Sequence, residues 1–161
     1  MRAAGTLLGA VALAACLAAC GTGHGATSPS AASEWTANAA GVIEQLRADG
    51  VAASDGADLA SARAALRDES RLYGLVVAYT DFGGCRHMAA ALGETPTGFG
   101  GTADALAHAC GDLQRAATLF THAAANTDAP SLVAAAKAVS AAEPFLDRAE
   151  LDLHRTATRT P

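Results

Sequence analysis

The stretch TADALAHACGDLQRAATLFTHAAAN, residues 102–126, decides the fold. Its apolar residues Ala103, Leu106, Cys110, Leu113, Ala117, Phe120 and Ala124 recur at alternating spacings of three and four. A helix turns once in about 3.6 residues, so this spacing draws one stripe along one side of a long helix. A strand would need alternation with a period of two, and no run of alternating β-branched residues occurs in the chain. A narrow three-and-four seam is how a helix packs at a shallow angle on its neighbours. Thr102 is the predicted N-cap.

Downstream, Asn126-Thr127-Asp128 opens a turn and Pro130 suits the first turn of a further helix. That helix repeats the rhythm with Leu132, Ala135, Val139, Ala142, Leu146, Ala149 and Leu153. Pro144 interrupts the segment but falls opposite the seam, which predicts a solvent-facing kink rather than a break. Upstream, Gly93 to Gly101 reads as a loop. Before it a second helix begins near Ala57, with Leu59, Ala62, Leu66 and Tyr73 on a common face. Past Gly83-Gly84 the apolar phase moves to Phe82, Cys85, Met88, Ala89 and Leu92, so a kink is expected at the glycine pair. The first helix starts from Ser33 as N-cap, carries Trp35, Ala39, Val42, Ile43 and Leu46, and is expected to stop at Gly50. The expectation is an all-α chain: an antiparallel four-helix bundle with a kinked second helix over residues 33–158, and a short tail at 159–161.

Ahead of the bundle, Met1-Arg2-Ala3-Ala4 leads into an apolar stretch from about Leu7 to Ala19, then Cys20-Gly21-Thr22-Gly23. One cation, a short apolar core and small residues form a three-part secretory signal. Leu17-Ala18-Ala19-Cys20 resembles the lipobox of bacterial lipoproteins, in which a leucine and two small residues precede the cysteine that becomes the new N-terminus. The resemblance covers about 20 residues, and it implies a signal peptide at 1–19 and a diacylglyceryl group on Cys20. Leu13-Ala14-Ala15-Cys16 is a weaker second match, because apolar sequence would then remain on the mature chain. Residues 20–32 have turn composition and read as a lipidated cysteine with a flexible tether. Two or more acyl chains hold a protein stably at a bilayer, at about 0.8 kcal/mol per buried CH₂. The implied location is the cell membrane, lipid-anchored on its extracytoplasmic face.

Loss of residues 1–19 would leave 142 residues, with ten basic and sixteen acidic side chains and a net charge of −6. That is enough chain for one domain with a core. An acidic balance without a basic run argues against nucleic acid as a partner, since nothing would neutralise phosphates. The chain holds 44 alanines, and its arginines outnumber lysine ten to one, a bias similar to that of GC-rich actinobacterial coding. Alanine is also the strongest helix former.

Cys85 and Cys110 are the cysteines that a mature, lipidated chain would keep. Cys85 stands eight residues before Gly93 and Cys110 eight after Thr102, so an antiparallel hairpin sets them at one height, roughly 12 Å from the loop. Beyond the membrane the compartment is oxidising. A Cys85–Cys110 disulfide is therefore predicted. The alternative is a metal- or haem-handling site built on Cys85, Met88 and Cys110 with His87 or His108, because soft sulfur ligands suit Cu(I) and mixed sets suit zinc. Helical geometry weakens it: residues two apart differ by about 200° around the axis, so His87 and His108 point away from inward-facing cysteines.

Phosphate-loop, nucleophile-elbow and metalloprotease signatures are missing. Phe82-Gly83-Gly84 and Gly98-Phe99-Gly100-Gly101 are not followed by Lys and Ser or Thr. The acidic residues sit among arginines in the pattern of solvated helix surfaces. The function expected from sequence is a non-enzymatic binding or scaffold module, without a cofactor, that meets another component of the cell envelope.

Overall fold

A computed structural model describes residues 29–159. The predicted signal peptide, Cys20 and most of the predicted tether lie outside these residues. Five helices make up the described chain: α1 Pro29–Ala53, α2 Leu59–Ala65, α3 Glu69–Ala91, α4 Gly100–Asn126 and α5 Ala129–Ala157. A 3₁₀ turn, Ser54–Gly56, links α1 to α2, and there is no strand among the described residues.

Four expected boundaries move, each for a local reason. α1 begins at Pro29, inside the span read as tether and four residues ahead of Ser33. A proline costs nothing in a first turn, whose N–H groups have no intrahelical acceptor. The same helix passes through Gly50 to the buried Ala53. A helical glycine costs only about 1 kcal/mol, and packing of the next turn outweighs it.

The expected long second helix is two helices. The Asp58 carboxylate accepts from the Ala60 and Ser61 backbone N–H groups at 2.8 and 3.0 Å, capping α2. The Asp68 carboxylate accepts from the Arg71 N–H at 3.0 Å, capping α3. An N-cap has extended backbone, and Asp68 at φ −96° and ψ 113° ends any continuation from α2. The apolar phase changes at this break. Leu59 and Tyr73, expected in the core, are 41% and 71% exposed. Gly83-Gly84 lies within α3, which continues through the pair, and Leu75, Ala78, Tyr79, Phe82 and Cys85 form one buried face across it.

Thr102 is not a cap. α4 starts at Gly100, with Phe99 in the cap position, and Thr102 is buried in the first turn. The buried face of α4 is wider than its seam. Ala105, Ala109, Ala116 and Ala123 join Leu106, Cys110, Leu113 and Phe120, because α3 and α5 press on two sides. Thr127, left-handed at φ 53°, then reverses the chain. α5 follows the expected seam throughout: Leu132, Ala135, Val139, Ala142, Leu146, Ala149 and Leu153 are all buried, while Pro144 is exposed within the helix.

The four long helices close a ring in which α1 meets α3, α3 meets α4, α4 meets α5, and α5 returns to α1. Each neighbour runs antiparallel to the next. Gln45 reaches Asp81 while Asp55 reaches Arg71, and Tyr79 stacks on Phe120 while Cys85 bonds Cys110. His108 stacks on Phe145 while His122 meets Ser131, and Arg47 meets Asp147 and Glu150. At one end Trp35 of α1 lies 5.3 Å from the Phe99 ring, and Thr156 of α5 approaches Gly98. At the other, α2 and the 3₁₀ turn cover the start of α5. Gly56 is required there, since a Cβ would stand 3.0 Å from Leu132 Cγ and 3.2 Å from its carbonyl oxygen.

Candidate functional site

Both sulfurs come from inward faces at the same height of the α3–α4 pair. Cys85 and Cys110 form the predicted disulfide, with Cα atoms 5.3 Å apart and both residues fully buried. Bonded to each other, these sulfurs offer no thiolate to a metal. Met88 is half-buried beside the core, and His87 and His108 are exposed. The His108 ring stacks on Phe145 at 5.2 Å between centroids. The geometry thus joins Cys85 to Cys110 and leaves His87 and His108 on the outer surface, away from the two sulfurs. Among the described residues no three His, Cys, Asp or Glu side chains are grouped to hold a metal ion. Cys20 lies outside the described residues.

The concave surfaces lie between helices. On the α1–α5 side a cleft of about 480 Å³ opens over a floor of Leu46, Leu113, Val139 and Leu146. Its rim carries Arg47, Ser54, Glu143 and Asp147, with Val51 at its edge. Val51 is 75% exposed, which leaves a β-branched apolar side chain standing free at the mouth. A further 130 Å³ continues past Gly50, Ser54, Val139 and Glu143 toward Ala57 and Ala136. Small residues explain the opening: Gly50, Ala53 and Ala136 supply too little volume to fill the space between the two helices. Arg47 closes the other side, donating to Asp147 at 2.6 Å and lying 2.8 Å from a Glu150 oxygen. These exposed pairs are worth a few tenths of a kcal/mol each and are readily exchanged. Chemically, an apolar floor under a rim of both signs suits an amphipathic surface or chain.

On the opposite side, α3 and α4 flank an open groove of about 630 Å³, floored by Tyr79 and Phe120, whose rings stack at 4.4 Å. Thr80, Thr118 and Thr121 line its walls, each hydroxyl donating to the carbonyl four residues earlier. The Tyr79 hydroxyl is buried without a hydrogen-bond partner among the described residues, and burial pushes its pKa far above the usual phenol value. Asp49, buried between α1 and α3, is also raised. Burial is the largest cause, the hydrogen bond from Gln45 opposes it, and the Asp81 charge adds to it. Asp55 moves the other way, held below the usual carboxylate range by the Arg71 guanidinium, which donates to it at 2.9 and 3.1 Å.

The sequence reading brought Cys85 and Cys110 together and missed both clefts. Each cleft is made by residues from two or three helices, and no single helix carries a signal for it. The one available hint was Val51-Ala52-Ala53, apolar residues in a segment read as a loop. Comparison with family models, with curated proteins and with solved structures finds no match to this chain. No helix among the described residues is long and apolar enough to cross a membrane.

Proposed function

We propose that the protein is a lipid-anchored extracytoplasmic module that holds another component of the cell envelope in the cleft between α1 and α5. The observation that carries the reading is the cleft itself, an apolar floor of Leu46, Leu113, Val139 and Leu146 beneath an ionised rim. Leu17-Ala18-Ala19-Cys20 supports the anchor, and the Cys85–Cys110 disulfide agrees with an oxidising compartment. Eight residues lie between Cys20 and Pro29, nine steps along the chain and a span of at most about 32 Å even when fully extended. The domain would therefore stay close to the bilayer, with Trp35 and the 92–99 loop toward it. The 3₁₀ turn, α2 and the Gly50–Ser54 end of the cleft would face outward.

The test uses the full chain in a bacterial host. Intact mass and membrane fractionation compare the wild type with Cys20→Ala, and a photo-crosslinking residue replaces Val51 or, as a control, the exposed Arg148. The expected result is a lipidated, membrane-bound wild type, a soluble Cys20→Ala variant, and a crosslinked envelope component from Val51 alone. An unlipidated wild type overturns the anchor. Equal products from Val51 and Arg148 overturn the cleft as the binding surface.

A further inference from the structure

Of the charged side chains among the described residues, Asp49 alone is buried, at 7% exposure. Its neighbour across the α1–α3 seam is a second carboxylate. Gln45, one turn back on α1, donates to the two Asp49 oxygens at 3.3 and 3.2 Å and to Asp81 Oδ2 of α3 at 3.4 Å. One amide group therefore spans carboxyl groups from two helices. Neither carboxyl is paired with Lys, Arg or His among the described residues. The other charges on elements packed against α1 are engaged or lie elsewhere. Arg71 of α3 holds Asp55 of the 3₁₀ turn at 2.9 Å. On α5, Asp147 and Glu150 hold Arg47, and Glu150 also lies 3.9 Å from His154. Arg47 is two residues from Asp49 and so points about 200° away from it. Glu44, Lys137 and Glu143 line the clefts on that same α5 side.

From this arrangement we infer that Asp49 and Asp81 act as a proton-sharing clamp, which fastens α1 to α3 in acidic surroundings and loosens the seam when both carboxyls are ionised. With the proton present, Asp49 donates its O–H to the Asp81 carboxylate, a charge-assisted bond between two helices. With the proton gone, the seam holds two like charges and a single amide between them. Two carboxyls this close take up protons as a pair rather than singly. Burial, with the Asp81 charge adding to it, raises the Asp49 carboxyl above its ordinary range. Proton uptake by the folded chain therefore adds stability as pH falls toward the unfolded value of about 3.9. The inference concerns the α1–α3 seam and does not depend on membrane attachment or on the α1–α5 cleft.

Hydrogen–deuterium exchange of the full chain is followed by mass spectrometry at about pH 7 and about pH 5, each rate being divided by the intrinsic rate at that pH. Protection of the α1 peptide around Asp49 is expected to rise at least about threefold at the lower pH. Asp49→Asn should remove that response and Asp81→Asn should shrink it. Asp81 is half-buried, and asparagine matches its size, so this second variant keeps the fold even if the first does not. His154→Gln, which removes the imidazole on the α5 side, should leave the response unchanged. No rise in the wild type overturns the inference. So does a rise that Asp81→Asn leaves at full size, or one that His154→Gln abolishes.

Discussion

Reduction of the Cys85–Cys110 bond should cost this domain a large share of its stability. The bond closes a loop of 25 residues. In the chain-entropy treatment that constraint removes about 12 cal/mol/K from the unfolded chain, or about 3.5 kcal/mol at 25 °C. A domain of about 130 residues unfolds with an entropy near 0.27 kcal/mol/K, so Tm should fall by about 13 °C. Both sulfurs are fully buried, so reductant reaches them only through opening of the bundle. Reduction is therefore carried out in denaturant and followed by refolding. Circular dichroism melts of the oxidised and the refolded reduced protein then give the difference directly. Cys85→Ala/Cys110→Ala should fall further, because each lost sulfur costs on the order of 1 kcal/mol of burial, as for a buried methylene. A reduced protein melting within about 3 °C of the oxidised one would refute the reasoning. The bond would then be closing a loop that the unfolded chain already keeps closed.

Tyr79→Phe removes a buried hydroxyl without a partner and should stabilise by about 1 kcal/mol in urea titrations at pH 7. Because burial raises the Tyr79 pKa, the neutral phenol's contribution is intact below the ordinary value near 10 and lost as pH rises above it. Wild-type stability should thus fall relative to Tyr79→Phe between about pH 10 and 11, and parallel curves would contradict the burial. Gly56→Ala sets a Cβ against Leu132 at 3.0 Å and should cost about 1–3 kcal/mol. Gly41→Ala, open on the exposed face of α1, should gain about 0.5–1 kcal/mol by the same denaturant titration, and a shared sign for the two variants would defeat the argument. The folded-state pKa of Asp49 is raised, so its charge destabilises the fold at neutral pH. Asp49→Asn should therefore raise Tm at pH 7, with the gain fading as pH falls through the raised pKa of the wild-type carboxyl, which Tm measured across the acid range would show.

The seam of α5 was legible because its rhythm runs for 22 residues, from Leu132 to Leu153, with a proline that falls on the outer face. The disulfide was legible because two equal offsets from one loop fix a common height without knowledge of the packing. The α2–α3 break was not, because Leu66-Arg67-Asp68-Glu69 reads as good helix, and the capping role of Asp68 depends on a backbone turned extended. Missing that break carried Leu59 and Tyr73 into the predicted core and transferred the phase change to Gly83-Gly84. Glycine misled once more. Gly50 was taken for a stop, although a helix anchored beyond it by Ala53 tolerates the residue. A second error concerns Thr102, whose hydroxyl suggests a cap although the residue lies buried inside the first turn of α4, with Phe99 in the cap position. The clefts were out of reach, since they are gaps between helices distant in sequence.

The way the ring of helices is closed has a kinetic consequence. Three of its seams join consecutive long helices: the 3₁₀ turn with α2 connects α1 to α3, a disulfide and a short loop hold α3 to α4, and Thr127 folds α5 onto α4. The fourth, between α1 and α5, joins the two ends of the domain and is held by side chains alone, beside the cleft floored by Leu46, Leu113, Val139 and Leu146. Contacts between distant segments form late and open early. α1 should therefore swing away while the α3–α5 block stays intact, exchanging its amide hydrogens ahead of the rest, and such breathing would widen the cleft that its own departure exposes.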